Sequence, residues 1–291
     1  MRVTEPIPRC PICRQTMKVD QPEWVHKCPS CGYLRSTLTP TISQSPEGTT
    51  IDEEHRAHAL DAIRRENFQR ILHFLGKESL PSRALLEVGC AHGWFLQAAQ
   101  QCGYEVYGLE PDPMLGALAQ QSNLPVWIGF FPDYLPSDRQ FDIIVFNDVF
   151  EHLLDVAGAM MTCANLLRPN GVLIINLPVS SGIFYRVAVL LRHLGYSGPF
   201  DRMWQRHFPS PHISYFRPSQ LQILATQYGL TEIRQATLPS VSRRGLWHRL
   251  RYDTSTSIFV AALVYCGVMF VTPFLHYLPA DISVHFFRKP A

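Results

Sequence analysis

Four cysteines stand in two closely spaced pairs near the start of the sequence. Cys10 and Cys13 form the first C-x-x-C pair, and Cys28 and Cys31 form the second. Four thiolates in two such pairs can surround a tetrahedral zinc ion, and they leave no open coordination position for catalysis. Redox-active dithiols are the alternative, but no thioredoxin-like pattern surrounds the pairs. We therefore predict a structural zinc ribbon.

A glycine-rich turn follows an apolar run at residues 84–88. Gly89 and Gly93 frame the turn, and a predicted helix follows it. A turn of this kind lets backbone N–H groups approach a ligand closely. A dinucleotide-binding fingerprint would have glycines where Ala91 and Trp94 stand, so the turn does not predict a pyrophosphate site.

An acid ends the next apolar run. Glu110 directly follows residues 106–109, which predict a second strand. A carboxylate at this place in an α/β fold can accept hydrogen bonds from both hydroxyls of a ribose. Each motif is weak by itself, but the glycine turn and the acid in this order indicate a site for a ribose-containing cofactor.

The elements that must position these residues alternate between strand and helix. Apolar runs lie at 84–88, 106–109, 126–128, 141–146 and 172–176, and predicted helices lie at 52–75, 94–101, 114–121 and 156–167. Continuous apolar strands between helices indicate a parallel sheet that is covered on both faces. A helix at 218–228, a strand at 231–236 and an edge strand at 282–287 would complete the sheet. The predicted class is α/β, with a Rossmann-like, doubly wound sheet of seven strands.

Two insertions interrupt this pattern, at about 179–216 and 239–280. The sequence thus divides into a zinc ribbon at 1–38, a linker at 39–54 and an α/β domain at 55–291. The first insertion has an apolar face within residues 182–194. We expect buried packing roles for the four scattered cysteines, which are Cys90, Cys102, Cys163 and Cys266.

The second insertion contains an uncharged apolar run at residues 258–275, which is long enough to cross a membrane. The residues before it are basic and aromatic: Arg243, Arg244, Trp247, His248, Arg249 and Arg251. A full crossing would carry residues 282–287 to the far side, where they could not join the sheet. We therefore favour a peripheral membrane contact or a lid over a hydrophobic acceptor. A buried packing helix and a true span are the alternatives.

Taken in order, these motifs resemble those of class I S-adenosylmethionine-dependent methyltransferases. Residues 87–93 look like their first motif and residues 108–110 like their second. Residues 141–153 resemble the fourth-strand region, and residues 166–178 resemble the fifth-strand turn. The resemblance extends over about residues 55–240. It is strongest to the ubiquinone-biosynthesis-like set within the type 11, 12 and 23 methyltransferases, many of which carry an N-terminal zinc ribbon.

The resemblance implies S-adenosylmethionine as cofactor and a set of residues that bind it. The methionine part would lie against Glu87, Gly89, Ala91 and Gly93, and Glu110 would hold the ribose. Phe130 and Phe131 would lie near the adenine, and Asn147 would close the floor of the pocket. An acid often holds the adenine in this family. None is evident here, because Asp133 comes a few residues late.

An oxygen acceptor needs a base or a metal to remove its proton. The candidate catalytic residues are His152, His207 and His212. In relatives of the ubiquinone type, the position of Asp148, Glu151 and His152 resembles a divalent-metal site. The alternative is that Asp148 caps a helix while His152 packs at the pocket edge. His212 has a similar alternative as a hydrogen-bonded structural residue.

The leading functional hypothesis is O-methylation of a hydrophobic small molecule that is lipid-linked, quinone-like or a saccharide. A non-catalytic recruitment module on a degenerate fold and an RNA or protein methyltransferase are the alternatives. A net charge of +2 argues against a nucleic-acid partner. The first nine residues have no apolar stretch typical of a secretory signal, so we expect a cytoplasmic protein, peripheral on the inner face of the membrane.

Overall fold

The segment that carries the paired cysteines folds as a small antiparallel unit. The computed structural model describes residues 9–42, 53–80, 82–136, 139–241, 246–251 and 257–291. Within the first of these ranges lie three short strands, β1 (Lys18–Val19), β2 (Val25–Lys27) and β3 (Leu34–Ser36). Each pairs antiparallel with the next. Most of the predicted linker at 39–54 lies outside the described residues.

The remaining elements follow the predicted alternation of helix and strand. In chain order they are α1 (Glu53–Leu75), β4 (Ala84–Val88), α2 (Trp94–Gln101), β5 (Glu105–Glu110), α3 (Pro113–Gln121), β6 (Val126–Ile128), β7 (Phe141–Asn147), α4 (Val156–Leu166), β8 (Leu167–Pro178), α5 (Ile183–His193), α6 (Gly198–Met203), β9 (Ser214–Tyr215), α7 (Pro218–Gln227), β10 (Thr231–Leu238), α8 (Leu246–Arg251), α9 (Ile258–Val271) and β11 (Ile282–Arg288). Short 3-10 helices lie at Phe150–His152 and Thr272–Tyr277.

Seven strands form the central sheet in the order β10-β11-β8-β7-β4-β5-β6. The strands from β4 to β8 run parallel, and β11 runs antiparallel to both of its neighbours. This topology confirms the predicted Rossmann-like fold. Because the parallel strands share a direction, the ends of β4, β5 and β7 place the glycine turn, Glu110 and Asn147 at one edge of the sheet.

The last strand is not at the edge, as the sequence predicted, but between β8 and β10. Its alternation of polar and apolar residues suggested one exposed face. Instead, Ser283 and His285 are buried as well. The Ser283 hydroxyl is 2.8 Å from His285 Nε2, and His285 Nδ1 is 2.6 Å from Glu232 on β10. The polar side chains of this face therefore have hydrogen-bond partners inside the protein, and these partners lower the free-energy cost of burying them.

Helices cover both faces of the central sheet. One face packs against Ile71 of α1 and Phe95 of α2, and the other packs against Met160 of α4 and Leu224 of α7. Asn67 interrupts the apolar stripe of α1 in the sequence. It is buried, and its amide donates a hydrogen bond to the carbonyl of Pro239.

The four scattered cysteines divide into two groups. Cys90 and Cys163 are buried, as predicted, but Cys102 and Cys266 are exposed. Cys102 follows the last turn of α2, and Cys266 lies on the open surface of α9, so the expectation of buried packing was wrong for both.

A strand from the first insertion joins the cysteine-bearing unit. β9 pairs with β3, with Leu34 opposite Tyr215, and completes a sheet of four strands. The Gln220 amide of α7 donates to the carbonyl of Cys31 at 2.7 Å, and the Gln227 amide donates to that of Ile12 at 2.6 Å. The cysteine-bearing unit is thus packed onto the α/β domain.

The second insertion carries a helix that is almost unburied. The segment Ile258–Tyr277 is long and apolar enough to cross a membrane, with a mean hydropathy of 2.3, and 6% of its most apolar window is buried. This exposure contradicts the alternative of a buried packing helix. Of the basic stretch before it, Arg243 and Arg244 lie outside the described residues.

Candidate active site

The turn after β4 has a backbone conformation that favours glycine. Gly89, Ala91 and Gly93 all have positive φ, at 73°, 45° and 74°. A Cβ atom on Gly89 would lie 2.5 Å from Val149 Cγ2, and one on Gly93 would lie 2.3 Å from Leu124 Cδ1. The two framing glycines are therefore required by conformation and by space, while the middle position accepts alanine.

Glu110 holds this turn from the adjacent strand. Its Oε2 atom accepts a hydrogen bond from the Ala91 amide at 2.7 Å, and its Oε1 atom accepts one from the Asp112 amide at 3.0 Å. The carboxyl group is buried, and burial raises its pKa. The sheet brings the two motifs together because β4 and β5 are parallel neighbours whose ends coincide, with Val88 opposite Leu109.

Glu87 is a buried residue of β4, close to the start of the turn. Asn147 at the end of β7 donates a hydrogen bond from Nδ2 to Glu87 Oε1 at 2.8 Å. The Oε2 atom has no hydrogen-bond partner among the described residues. Burial raises the pKa of Glu87 to about 8, and the charge of Glu110 adds to the rise, while the hydrogen bond from Asn147 and the guanidinium of Arg64 oppose it. A cationic ligand group at this carboxyl would favour its ionised form.

Arg64 was not among the residues that the sequence predicted for the site. It stands on α1, well before the first motif, and its charge acts on Glu87 because α1 packs against the sheet. A basic residue on the helix before the first strand is the only sequence signal, and it is too common to identify a site.

The two phenylalanines expected near the adenine point in different directions. The ring of Phe131 packs edge-on against Phe146, with centroids 5.5 Å apart. Half of the Phe130 side chain is exposed, and Asp133 in the following loop is exposed as well. Of the two phenylalanines, Phe130 therefore offers the accessible ring, and the exposed ring of Tyr134 lies beside it against Gly129.

A second group of ionisable residues lies where the chain leaves β7. Glu151, His152 and His212 place their ligand atoms within 4.8 Å of one another. The two imidazole rings meet edge to face at 4.7 Å, and each Nε2 atom is 3.9 Å from Glu151 Oε1. Neither oxygen of the buried Glu151 carboxyl accepts a hydrogen bond from a described residue. Burial raises the pKa of Glu151, and the charge of Asp148 adds to this rise.

Hydrogen bonds hold both histidine rings in place. His152 Nδ1 is 2.8 Å from the carbonyl of Pro211. His212 Nδ1 is 3.3 Å from the Tyr215 hydroxyl, which donates to the carbonyl of Met203. Nε2 of each ring is turned toward Glu151, and His212 Nε2 also lies 2.9 Å from the side-chain amide nitrogen of Gln205, which can donate a hydrogen bond to it.

The structure brings together only part of the predicted acceptor set. His152 and His212 share the group with Glu151, whereas His207 is exposed and outside it. Asp148 is also outside the group, although it is near enough to affect the pKa of Glu151. A backbone hydrogen bond holds His212 near Glu151, because the amide of the next residue, Ile213, donates to the carbonyl of Glu151 at 2.8 Å.

The four paired cysteines converge as predicted. The sulfurs of Cys10 and Cys31 are 3.5 Å apart, and those of Cys13 and Cys28 are 3.3 Å apart. All four lie within 4.8 Å of one another. Tetrahedral zinc with Zn–S bonds of about 2.3 Å would place its sulfurs about 3.8 Å apart. The spacing of the four thiols fits such an ion.

Comparison with known proteins agrees with this geometry. A family model described as a methyltransferase domain matches residues 60–235. The ubiquinone biosynthesis O-methyltransferase of Methylobacterium sp. (strain 4-46) is 30% identical over 109 residues, which cover 33% of this chain and 41% of that protein. The chain spans about two fifths of the length of the curated relatives it matches.

Two solved structures show the same fold. The phosphoethanolamine N-methyltransferase 2 of Haemonchus contortus, solved with phosphomonomethylethanolamine and S-adenosylhomocysteine, has a TM-score of 0.56 at 16% identity over 78% of this chain and 53% of that chain. The cyclopropane synthase of Mycobacterium tuberculosis has a TM-score of 0.51 at 18% identity over 86% and 90%. At such identities the likeness concerns the fold alone.

Proposed function

The chain belongs to the methyltransferase-domain family with the class I S-adenosylmethionine-dependent fold, and from that premise we propose that it methylates an oxygen of a small hydrophobic acceptor. The observation that carries the proposal is the arrangement of Glu87 and Glu110 around the Gly89–Gly93 turn. This arrangement retains Glu87, Gly89, Gly93 and Glu110, which a degenerate, non-catalytic domain would be free to lose. It therefore favours an enzyme over a recruitment module.

The cofactor-binding roles follow from the chemistry of these groups. S-adenosylmethionine supplies an electrophilic methyl group on a positively charged sulfur. The Glu87 carboxyl has an oxygen without a hydrogen-bond partner among the described residues, and this oxygen can pair with the cationic methionine part of the cofactor. The adjacent turn has no room for side chains at Gly89 and Gly93, so the cofactor can approach its backbone. Glu110 would accept hydrogen bonds from the ribose, Asn147 would hold Glu87, and Phe130 would cover the adenine.

The Glu151, His152 and His212 group supports removal of a proton from the acceptor. A buried carboxylate without hydrogen-bond donors beside two imidazoles is a donor set that divalent transition metals accept. Those three residues would hold the ion, whose chemistry when bound is to lower the pKa of a hydroxyl. His212 replaces Asp148 of the set predicted from the sequence. In the absence of an ion, His152 or His212 would act as the general base.

The four cysteines would hold structural zinc. Their spacing fits, and the unit they tie together is too small to bury a core of its own. The division into a ribbon at 1–38, a linker at 39–54 and a catalytic domain at 55–291 is part of this proposal. The pairing of β3 with β9 supports a role for the ribbon in shaping the acceptor side.

The acceptor class is supported by the surroundings of the site. The relatives with sequence similarity are named for ubiquinone biosynthesis, and both insertions of this chain carry exposed apolar residues. A quinone-like or lipid-linked small molecule fits these surroundings better than a nucleic acid does, since the net charge is +2.

Transfer of a labelled methyl group tests the proposal. The zinc-loaded protein is incubated with S-adenosylmethionine, labelled on its methyl group, and with a membrane lipid extract. We expect label in the organic phase that base releases as methanol from a methyl ester, or that hot hydriodic acid releases as methyl iodide from a methyl ether. The label should be absent with the Glu110→Gln variant. Label in RNA or protein would contradict the acceptor class. Absence of transfer by a protein that binds the cofactor would favour the recruitment module.

A further inference from the structure

The helix α9 and the 3-10 helix after it present apolar side chains to solvent on nearly all sides. Phe259, Leu263 and Phe270 expose 84%, 76% and 76% of their surfaces, and Ala261 is the one buried residue of α9. Soluble proteins rarely expose a contiguous apolar surface of this kind unless it binds a partner or a membrane. The segment therefore needs an apolar environment outside the chain.

Both ends of the second insertion return to the same place on the sheet. It leaves from β10 at Leu238 and returns to β11 at Ile282, and these two residues pair directly. Ile282 also pairs with Pro178, which ends β8. The insertion thus projects from the edge at which the parallel strands end, which is the edge that carries the glycine turn and Glu110.

The geometry of the insertion is incompatible with a single crossing of a bilayer. The insertion leaves the sheet at Leu238 and returns to it at the paired residue Ile282, so a chain that enters a bilayer must re-emerge on the side it entered. The apolar segment can therefore enter one leaflet and leave it on the same side.

A second apolar element is tied to the base of this insertion. The Asp281 carboxylate accepts a hydrogen bond from the Phe184 amide at 2.7 Å, and the carbonyl of Pro279 accepts one from the Ile183 amide at 3.1 Å. These bonds join the first turn of α5 to the end of the insertion. The exposed side of α5 carries Val187 and Leu190, and exposed Leu194 follows directly after the helix at helical spacing.

The charges around these elements complement an anionic surface. Between Leu238 and Asp281 the sequence has four arginines and one acid. Arg186 and His193 are exposed on α5, beside its apolar residues. Basic residues next to apolar surface favour membranes that contain anionic lipids over an uncharged protein face.

We propose that α9, the 3-10 helix after it and the exposed side of α5 form one surface that enters a single leaflet of an anionic lipid bilayer. This membrane contact does not depend on the acceptor or on methyl transfer. It places the edge of the sheet with the candidate active site against the lipid, so a hydrophobic molecule could reach that edge without crossing water.

Flotation with lipid vesicles tests the proposal. The zinc-loaded protein of residues 1–291 is mixed with vesicles of phosphatidylcholine, with or without phosphatidylglycerol. We expect it to float with the anionic vesicles. The double variant Leu263→Glu/Phe270→Glu should reduce the bound fraction about tenfold or more, because two large apolar side chains lose their burial in lipid. The Leu190→Glu/Leu194→Glu variant should reduce it as well.

A matched control separates insertion from general effects of charge. Ile223→Glu changes an exposed apolar side chain of α7, a helix that is not part of the proposed surface, and this variant should float like the unchanged protein. Thermal denaturation and binding of S-adenosylhomocysteine show whether each variant is folded. Equal flotation of all variants, or none by the folded protein, would overturn the proposal. Self-association through α9 that persists with vesicles and prevents flotation would overturn it too.

Native cysteines provide a second measurement that does not alter the apolar surface. A nitroxide on exposed Cys266 of α9, in a Cys102→Ser background, should become protected from a water-soluble relaxation agent when anionic vesicles are added. The reciprocal label on Cys102 should not, because Cys102 lies beside Arg83 at the opposite edge of the sheet. Equal exposure of both labels with vesicles present would contradict insertion.

Discussion

Glu87 is an acid that burial keeps largely protonated at neutral pH. Its pKa of about 8 is set mainly by desolvation, so the carboxyl carries a proton until a positive charge arrives. We predict that cofactor binding releases a proton at pH 7 and that affinity rises as the pH approaches 8. Calorimetric titration with S-adenosylmethionine in buffers of different ionisation enthalpy measures the proton release. The Glu87→Gln variant should show no such release, and an unchanged value would contradict the assignment.

The glycine turn allows a sharp test, because its three positive-φ positions differ in the space available for a side chain. Gly93→Ala should destabilise the fold by roughly 1–3 kcal/mol and weaken cofactor binding, since its Cβ would meet Leu124 and its φ disfavours side chains. Ala91→Gly is the matched control at φ 45° and should leave both quantities nearly unchanged. Chemical denaturation measures the free energy of unfolding. Equal losses in both variants would show that the turn conformation is not the cause.

The two candidate histidines of the first insertion make a natural pair. His212→Ala should lower kcat by about 10²–10⁴-fold while the affinity for S-adenosylhomocysteine stays unchanged, because a proton acceptor or metal ligand is lost. His207→Ala should leave kcat unchanged, since His207 is exposed and outside the group. Steady-state rates with the labelled acceptor check both. A comparable loss in the two variants would contradict the assignment.

The cofactor side of the site was predictable from the sequence, and the acceptor side was so only in part. Glu87, Gly89 and Glu110 lie at the ends of consecutive strands, so the order of motifs predicts their proximity. His212 reaches Glu151 through a backbone hydrogen bond formed by an insertion with no sequence period. The sequence predicted Asp148 as the third member of the group instead, because Asp148 is close to Glu151 and His152 along the chain and no other indication of proximity was present.

At the scale of elements, the cysteine-bearing unit connects to the acceptor side through β9. The Tyr33 hydroxyl meets that of Ser214, and the Ser36 hydroxyl donates to the carbonyl of His212 at 2.8 Å. We predict that zinc removal by a chelator lowers turnover and thermal stability but changes affinity for S-adenosylhomocysteine by less than about threefold, since the glycine turn has separate supports. Metal analysis, thermal denaturation and calorimetry measure these effects. Cys28→Ser should reproduce them, and full turnover by the zinc-free protein would contradict the coupling.

The strands and helices of the α/β domain were largely predictable because each has the period of its own element. β11 was misplaced because its polar residues find partners inside the sheet, and a polar pattern alone cannot distinguish paired burial from exposure. The pairing of β3 with β9 could not be predicted at all. It joins segments far apart in the chain, and β9 is only two residues long.

At the scale of the whole molecule, three features meet at one edge of the central sheet. The glycine turn with its acids, the group of Glu151 and two histidines, and the apolar insertion all arise where parallel strands end or where a connection leaves them. Ligands commonly bind at this edge of open α/β sheets. A cofactor site and an acceptor site placed together at a lipid-facing edge are consistent with methylation of a hydrophobic molecule.

The most direct measurement is calorimetric titration of the zinc-loaded protein with S-adenosylhomocysteine, repeated on Glu110→Gln. We predict micromolar binding that falls strongly in the variant, because the ribose would lose its acceptor and the turn would lose its anchor at Ala91. Absence of binding to a folded protein, or equal binding to both forms, would contradict the assignment of this edge as the site of an S-adenosylmethionine-dependent enzyme.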